Sequence, residues 1–430
     1  MTDADAGPAP VARPACPECV ELSRRGLLRG AAVGGLTSLV PGGSSDVRVA
    51  AAVGKAASTD TLVLLSLRGG FDGLSAVVPA ADPDYRGKRA TIGVPASQLL
   101  PLDAAFGLHP AMAPLLPLWR DGQLAVVQDV GQAAPTRSHF EAMRELEKAA
   151  PGSGIRTGWL DRMLGALAKG TIFKGAQVGT SKPTDAFKGP APELAVRRID
   201  NFTLSGTDAK SLPKLTGLYR SLYSRAPEVI RTPALVAMDA VATTSRLKAA
   251  GYTPSHGVTY PSTEVGKALQ DVARLIRAGV GLKVACVDVG AWDLHAGMGR
   301  VDGGQMRDRL KDLADAVAAF TADLADRMGS LTLVTLSEFG RRVAENGSGG
   351  TDHGHGNCVF VIGGGVAGGR MYGTWPGLSS SALVQGDLPG TTDYRQILAE
   401  IAVKRMGIRR VSDVFPGLKA APLGILRARA

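Results

Sequence analysis

The chain has 430 residues, of which 45% are hydrophobic and 20% are charged, and its formal net charge is +10. This composition is ordinary for a soluble globular protein. The interior of the chain holds no run of about 18 or more apolar residues, so we expect no transmembrane segment. Lysines and arginines are scattered, so we expect no nucleic-acid partner; attraction to anionic substrates or envelope surfaces agrees with the charge.

The first 52 residues have the pattern of a twin-arginine signal peptide. Arg24 and Arg25 precede a mildly apolar, glycine-containing stretch at 31–40, and small residues follow as far as Ala52. This order of basic, apolar and small residues is typical of such leaders. We therefore predict recognition by the twin-arginine export machinery, cleavage near residues 50–52, and a mature protein in the periplasm, in the cell envelope or outside the cell.

Beyond the leader, apolar strands alternate with amphipathic helices. The run Thr61–Leu67 is continuously apolar and ends at an Arg-Gly-Gly turn, as a buried parallel strand does. The predicted elements that follow are a helix over 109–122, a strand over 123–131, a helix over 140–150, a helix over 264–279, a strand over 283–289, a helix over 305–329, strands over 331–337 and 358–365, and a helix over 391–407. This alternation predicts a doubly wound α/β sheet.

Residues 151–263 interrupt the alternation. They are rich in Gly, Pro, Lys and Ser, and they carry helical patches but no strong cluster of site residues. We interpret this segment as an insertion or cap on the substrate side of the domain.

Two short clusters predict a divalent-metal site. Asp352, His353 and His355 lie among flexible glycines, and Asp293 and His295 follow the predicted strand 283–289. Residues two apart on an extended segment point to one face, so Asp293 and His295 can bind together. Carboxylate oxygens and imidazole nitrogens suit zinc, manganese or iron. The alternatives are a solvated turn for the Asp352 pair and a capped strand end for the Asp293 pair.

Further candidates follow the first and the later strands. Asp72, in the loop after Thr61–Leu67, could complete the metal shell, with a tight turn capped by Asp72 as the alternative reading. Arg68 and Arg341 are candidates for binding a substrate anion through forked hydrogen bonds. Asp288 is a reserve candidate ligand inside its strand.

The start of the helix over 140–150 offers hydroxyls and cations together. Thr136 and Ser138 are candidate nucleophiles because free backbone N–H groups at a helix start favour an ionised hydroxyl. Arg137 and His139 are candidates for binding the substrate anion. Capping of the helix is the alternative role for either hydroxyl.

Six segments, in order, resemble a known family. LRGGFDGLSAVVP, PTRSHFEAM, GAWDLH, LSEFGRR, GTDHGHG and GGGVAGGRMYG are similar to the exported bacterial family called domain of unknown function 1501, within the alkaline phosphatase-like superfamily that includes the sulfatases. The resemblance covers most of residues 53–430. It implies an α/β three-layer sandwich with a central, mostly parallel sheet flanked by helices, in which 151–263 would be an inserted cap.

The resemblance also implies a two-metal hydrolytic site. Asp352 and His353 match the superfamily's Asp-His element, Asp293 and His295 resemble its other Asp/His pair, and His355 could supply a further imidazole. The chain departs from the superfamily in the position of its first aspartate, displaced to Asp72, and in the DxH spacing of the second pair.

These observations predict an exported, metal-dependent hydrolase of phosphate or sulfate esters. Its substrate would be a small anionic ester, and its cofactor divalent ions, with zinc expected and manganese, iron, magnesium or calcium as alternatives. The bound ions would lower the pKa of the attacking hydroxyl of Thr136 or Ser138. The alternative is a non-catalytic envelope protein whose degenerate metal site serves binding or assembly.

Overall fold

A computed structural model describes residues 60–168 and 170–429. The predicted signal peptide and its cleavage point lie outside the described residues. In the described part of the chain, no helix combines the length and the apolar character needed to cross a membrane.

The strands, in chain order, are β1 (Thr61–Leu67), β2 (Val77–Val78), β3 (Leu100–Pro101), β4 (Gly107–Leu108), β5 (Leu124–Gly131), β6 (Gly175–Val178), β7 (Leu194–Val196), β8 (Val284–Val289), β9 (Leu331–Leu336), β10 (Asn357–Ile362), β11 (Arg370–Tyr372) and β12 (Thr392–Asp393).

The α-helices are α1 (Gly73–Ala76), α2 (Tyr85–Lys88), α3 (Leu116–Arg120), α4 (His139–Lys148), α5 (Trp159–Ala166), α6 (Leu212–Tyr223), α7 (Glu228–Ala250), α8 (Glu264–Arg277), α9 (Gln305–Asp323) and α10 (Tyr394–Lys404).

One large sheet organises the described residues. Its strands lie in the order β11, β5, β10, β9, β1, β8, β6, β7, and β12 also pairs with β5. The run from β9 to β7 is parallel, and β11 and β12 run parallel to β5, whereas β10 is antiparallel to both of its neighbours. A separate small antiparallel sheet joins β2, β4 and β3. The predicted class, an α/β fold with a mostly parallel central sheet flanked by helices, is confirmed.

Strand β1 shows why this sheet needs helices on both faces. Every one of its residues is buried, because a central parallel strand is covered on both sides. Val63, Leu65 and Leu67 join one core cluster with the apolar stripes of α8 and α9. Leu62 and Leu64 point the opposite way and join a second cluster with α4, α5 and α10. The period of two in a strand therefore produces the three layers.

Several segments differ in part from the sequence-based expectations. The helix over 109–122 divides into a 3-10 segment, Pro110–Leu115, and α3, because prolines inside it lack the N–H that a continuous helix requires. The last helix begins only at Tyr394, since the two preceding residues form β12. The expected cap, 151–263, contributes β6 and β7 to the central sheet, and α6 and α7 follow them.

The candidate site residues lie in segments that meet at one edge of the sheet. Strands β1, β5, β8 and β9 all end at this edge, and β10, which runs the opposite way, starts there. The carboxyl edge of such a sheet is where α/β proteins bind ligands.

A buried ion pair secures the loop after β1. The carboxylate of Asp72 accepts hydrogen bonds from both terminal nitrogens of Arg89, at 2.6 and 3.0 Å, and both side chains are at most 1% exposed. The hydroxyl of Ser75 donates to the same carboxylate at 2.8 Å. The remaining donors of Arg89 reach the backbone carbonyls of Arg342 and Val343. This pair therefore connects the first loop to the chain that follows β9.

Replacing Asp72 with alanine leaves the Arg89 charge buried without a partner. We expect Asp72→Ala to lower the free energy of unfolding by about 3–5 kcal/mol, measured by chemical denaturation, because an uncompensated buried charge is costly. The control is Asp413→Ala, which breaks an exposed pair with Arg410 and should change stability by less than about 1 kcal/mol. A stable Asp72→Ala protein that has lost bound metal would instead favour a ligand role for Asp72.

Candidate metal centre

Three imidazoles converge on one carboxylate oxygen at the carboxyl edge of the sheet. The Oδ1 atom of Asp293 lies 3.0 Å from His295 Nε2, 3.2 Å from His353 Nε2 and 3.5 Å from His139 Nε2. His139, Asp293 and His353 form a group whose ligand atoms all lie within 4.8 Å of one another. Four residues from the start of α4 and from two loops thus present ligand atoms to the same small volume.

The opposite nitrogen of each ring is held by an oxygen acceptor. His139 Nδ1 lies 2.7 Å from Glu338 Oε1, His353 Nδ1 lies 2.8 Å from the backbone carbonyl of Arg137, and His295 Nδ1 lies 3.1 Å from Asp352 Oδ1. An oxygen beside Nδ1 favours the tautomer with a proton on Nδ1, which leaves the lone pair on Nε2. All three rings are therefore oriented to use Nε2 as an acceptor or a metal ligand.

This arrangement brings several hydrogen-bond acceptors together with too few hydrogen-bond donors to satisfy them. His295 Nε2 and His353 Nε2 are 2.9 Å apart, so their two lone pairs face each other. His139 Nε2 is buried and has no hydrogen-bond partner within the described residues. Arg341 Nη2 donates to Asp293 Oδ1 at 2.6 Å. A cation among these atoms would satisfy the remaining acceptors, and the donor set of imidazole nitrogens and one carboxylate fits a zinc-like ion.

The carboxylate of Glu338 orients the ring of His139. Glu338 follows β9 and is 3% exposed. Its Oε1 accepts the backbone N–H of Gly69 at 2.8 Å as well as approaching His139, and its Oε2 accepts the hydroxyl of Ser337 at 3.0 Å. The carboxylate is thus fixed by two elements other than the histidine. Sequence reasoning did not select Glu338, although its position directly after a buried strand was an available signal.

Arg341 connects the loops of the site through its hydrogen bonds. It is 2% exposed, and its guanidinium donates to the backbone carbonyls of Gly69, Gly70, Trp292 and Thr351 as well as to Asp293. The loops after β1 and β8 approach so closely that a Cβ on Gly69, whose φ is +114°, would lie 2.8 Å from the backbone nitrogen of Asp293. The donors of Arg341 are therefore engaged within the protein rather than with a substrate anion.

The electrostatics keep the two aspartates ionised. Partial burial acts to raise the pKa of Asp293, but the hydrogen bond and the positive charge of Arg341, together with the neighbouring imidazoles of His353 and His295, outweigh it and hold the pKa at about 2. Hydrogen bonds from Asn346 and His295 lower the pKa of Asp352. Asp293 and Asp352 remain 46% and 54% exposed, so the cluster is open to solvent.

Other predicted site residues lie in separate contacts. Asp352 binds His295 and Asn346 rather than joining the convergent group, and His355 Nε2 lies 3.1 Å from the carbonyl of Gln132. Asp72 is engaged with Arg89, as described above. We therefore leave Asp72, Asp352 and His355 out of the inner ligand set that we propose.

The candidate anion-binding arginines are paired with carboxylates. Arg68 lies 2.9 Å from Asp288 and 2.5 Å from Glu147. Burial opposes its charge, yet the two carboxylates raise its pKa above the usual value. Arg137 lies 2.5 Å from Asp387. Asp288, the reserve ligand, is thus engaged with Arg68.

The candidate nucleophiles stand beside His139 at the start of α4. The hydroxyl of Thr136 donates to Glu141 at 3.0 Å and accepts the backbone N–H of Ser138 at 3.2 Å. The hydroxyl of Ser138 caps α4 by accepting the N–H of Glu141 at 3.5 Å. The capping role that the sequence allowed is therefore present for Ser138. His139, predicted to bind the substrate, lies instead with the candidate metal ligands.

A family model matches most of the described chain. The model is described as a protein of unknown function, DUF1501, and it matches residues 59–396. The chain belongs to this family. Comparison of this DUF1501 protein with curated sequences finds no match.

Solved structures match this DUF1501 protein at low sequence identity. The PsFucS1 sulfatase from Pseudoalteromonas sp. is 10% identical, with a TM-score of 0.37 over 86% of this chain and 74% of the sulfatase. The phosphonate monoester hydrolase of Agrobacterium radiobacter is 11% identical, with a TM-score of 0.33 over 77% of each chain. Ps i-CgsB in complex with k-i-k-neocarrahexaose is 9% identical, with a TM-score of 0.42 over 85% of this chain and 75% of the matched chain.

Neutralising the carboxylate that faces His139 Nδ1 tests whether the ring is a metal ligand. We expect Glu338→Gln to weaken affinity for zinc by about 10–100-fold, measured by competition with a chelator, because carboxylates that orient ligating histidines have effects of this size. Glu145→Gln, on the same helix as His139 but paired with Lys148, is the matched control and should leave affinity unchanged. Equal affinities in the two variants would contradict a ligand role for His139.

Proposed function

We propose that this protein is an exported, metal-dependent hydrolase of phosphate or sulfate esters. One observation carries the proposal: three Nε2 atoms and Asp293 Oδ1 converge, and each Nδ1 is held by an oxygen. Such preorientation is characteristic of metal ligands and is costly to maintain for a surface cluster without a cation.

His139, Asp293 and His353 would hold the first ion, with His295 beside them. A bound divalent ion would lower the pKa of the attacking group and neutralise charge that develops on the ester oxygens. Zinc is the expected ion because imidazole nitrogens dominate the donor set, with manganese and iron as alternatives and magnesium or calcium less suited to imidazole.

Thr136 is the hydroxyl that we favour as the attacking group. Its hydroxyl already donates to the carboxylate of Glu141, so an acceptor stands ready for the proton that leaves when the oxygen attacks. The hydroxyl of Ser138 is used to cap α4. Both residues lie within three positions of His139, and the open exposure of Asp293 leaves room for a small anionic ester.

A second function is supported by the arginines. Arg68, Arg137 and Arg341 each bind carboxylates or backbone carbonyls of the protein itself, so none of them is dedicated to a substrate anion in this structure. This observation favours the alternative of a non-catalytic envelope protein that uses the metal site for binding or assembly. Activity measurements separate the two functions.

The hydrolase proposal is tested with generic esters. We expect the protein loaded with zinc or manganese to hydrolyse an aryl phosphate, an aryl sulfate or an aryl phosphonate. Asp293→Asn should lower kcat/KM about a thousandfold, because a lost metal interaction is worth several kcal/mol. Asp302→Asn, an exposed carboxylate on the loop before α9, is the control and should retain full activity.

The same assay shows whether Thr136 or Ser138 supplies the attacking hydroxyl. Thr136→Ala should abolish turnover while Ser138→Ala, which removes only a helix cap, should lower stability by about 1 kcal/mol and keep most of the activity. Metal-loaded wild-type protein that hydrolyses none of the three ester classes would favour the non-catalytic function. Full activity in Asp293→Asn would refute the proposed site.

Export is tested separately from catalysis. We expect the wild-type chain to be recovered outside the cytoplasm with its leader removed near residues 50–52. Replacing Arg24 and Arg25 with lysines should retain the protein, uncleaved, in the cytoplasm, because the twin arginines are the recognised signal. Processing of the double-lysine variant at the wild-type level would show that another route is used.

A further inference from the structure

The helical hairpin formed by α6 and α7 concentrates exposed apolar side chains. Among the described residues, the large hydrophobic side chains left exposed are Phe140, Leu218, Leu222, Val229, Ile230, Val384 and Val403. Four of these seven lie within thirteen residues at the tip of the hairpin, where α6 ends and α7 begins. Single exposed hydrophobic residues are normal on a surface, whereas a cluster of them indicates an interaction site.

The exposed leucines of α6 lie on a different face of the helix from the residues that pack against the protein. Leu212 and Thr216 are buried and share one side of the helix. Leu218 and Leu222, which are four residues apart, share a different side of the helix and are each 62% exposed. The helix is therefore anchored to the protein by one face and presents leucines to the solvent on another.

Basic and aromatic residues accompany the leucines. Residues 210–231 contain Lys210, Lys214, Arg220, Arg225 and Arg231 and one acidic residue, Glu228. Arg220 pairs with Asp239 of α7, so the excess positive charge rests on the other four cations. The half-buried rings of Tyr219 and Tyr223 stack with their centroids 6.2 Å apart. A helix that combines exposed leucines, an excess of lysine and arginine, and tyrosines has the composition of a segment that lies in the interface of an anionic membrane.

We propose that the α6–α7 hairpin docks this protein on the surface of an anionic phospholipid bilayer. The leucines, Val229 and Ile230 enter the boundary between headgroups and acyl chains. The lysines and arginines other than Arg220 contact the anionic headgroups. The hairpin lies on the surface and does not span the bilayer. This inference is independent of the hydrolase proposal, because it uses none of the residues at the metal centre.

The charge pattern favours a bilayer over a second copy of the chain. A two-fold dimer would place the same patch against itself and thus oppose lysines and arginines with lysines and arginines. Protein interfaces are also depleted of charged residues at their centres. An anionic lipid surface satisfies the positive charges and the apolar side chains at the same time.

Vesicle co-sedimentation of the full chain tests the proposal. We expect the wild-type protein to bind vesicles of phosphatidylcholine that contain about one-third phosphatidylglycerol, and to bind pure phosphatidylcholine much less, with loss of binding at high salt. Leu218→Ser/Leu222→Ser should lower the partition coefficient at least about tenfold. Val384→Ser/Val403→Ser removes two exposed apolar side chains elsewhere, 59% and 44% exposed, and should bind as the wild type does.

Every variant keeps the same N-terminal leader, so its contribution to vesicle binding is equal in all of them. Lys214→Glu/Arg225→Glu provides a second test and should abolish the preference for phosphatidylglycerol, with circular dichroism confirming that each variant is folded. Vesicle binding that is unchanged in both hairpin variants would overturn the proposal. So would a concentration-dependent dimer that only the leucine variant abolishes, since a second copy would then cover the hairpin.

Discussion

The geometry of the site depends on the contact between Arg341 and Asp293. The guanidinium of Arg341 is buried and donates to Asp293 Oδ1, the atom on which three imidazole nitrogens converge. Its other donors bind backbone carbonyls of the loops after β1 and β8 and of Thr351. One side chain therefore sets the distance between loops that are far apart in sequence, and it partly neutralises the carboxylate that would bind a cation.

The hydrogen-bond partners of the histidines constrain the orientation of their rings as well. Glu338, the carbonyl of Arg137 and Asp352 each face one Nδ1 atom, so the orientation of each ring is determined by a different element of the fold. Metal sites in proteins work best when such supporting contacts are present before the ion binds. The parallel sheet provides the rigid base from which these contacts extend, because β1, β8 and β9 end side by side.

Much of this architecture follows from sequence patterns with a clear physical origin. The strand Thr61–Leu67 was predicted to the residue because burial on both faces produces an unbroken apolar run. Asp293, His295 and His353 were selected because ligand-type residues followed strands, and the structure brings them together. The part played by Glu338 could not be assigned, since nothing local indicates that it meets a histidine 199 positions earlier. The partner of Asp72 could not be predicted for a similar reason, because Arg89 belongs to no recognisable motif.

The most direct test is anomalous X-ray diffraction, recorded at the zinc absorption edge, from crystals of the zinc-loaded protein. The account predicts an anomalous peak about 2.0–2.2 Å from Nε2 of His139, Nε2 of His353 and a carboxylate oxygen of Asp293. His295 should lie beside the ion, and Glu338 should remain on Nδ1 of His139. A zinc ion bound instead by Asp72 or His355, or no ordered zinc at the convergent nitrogens, would contradict it.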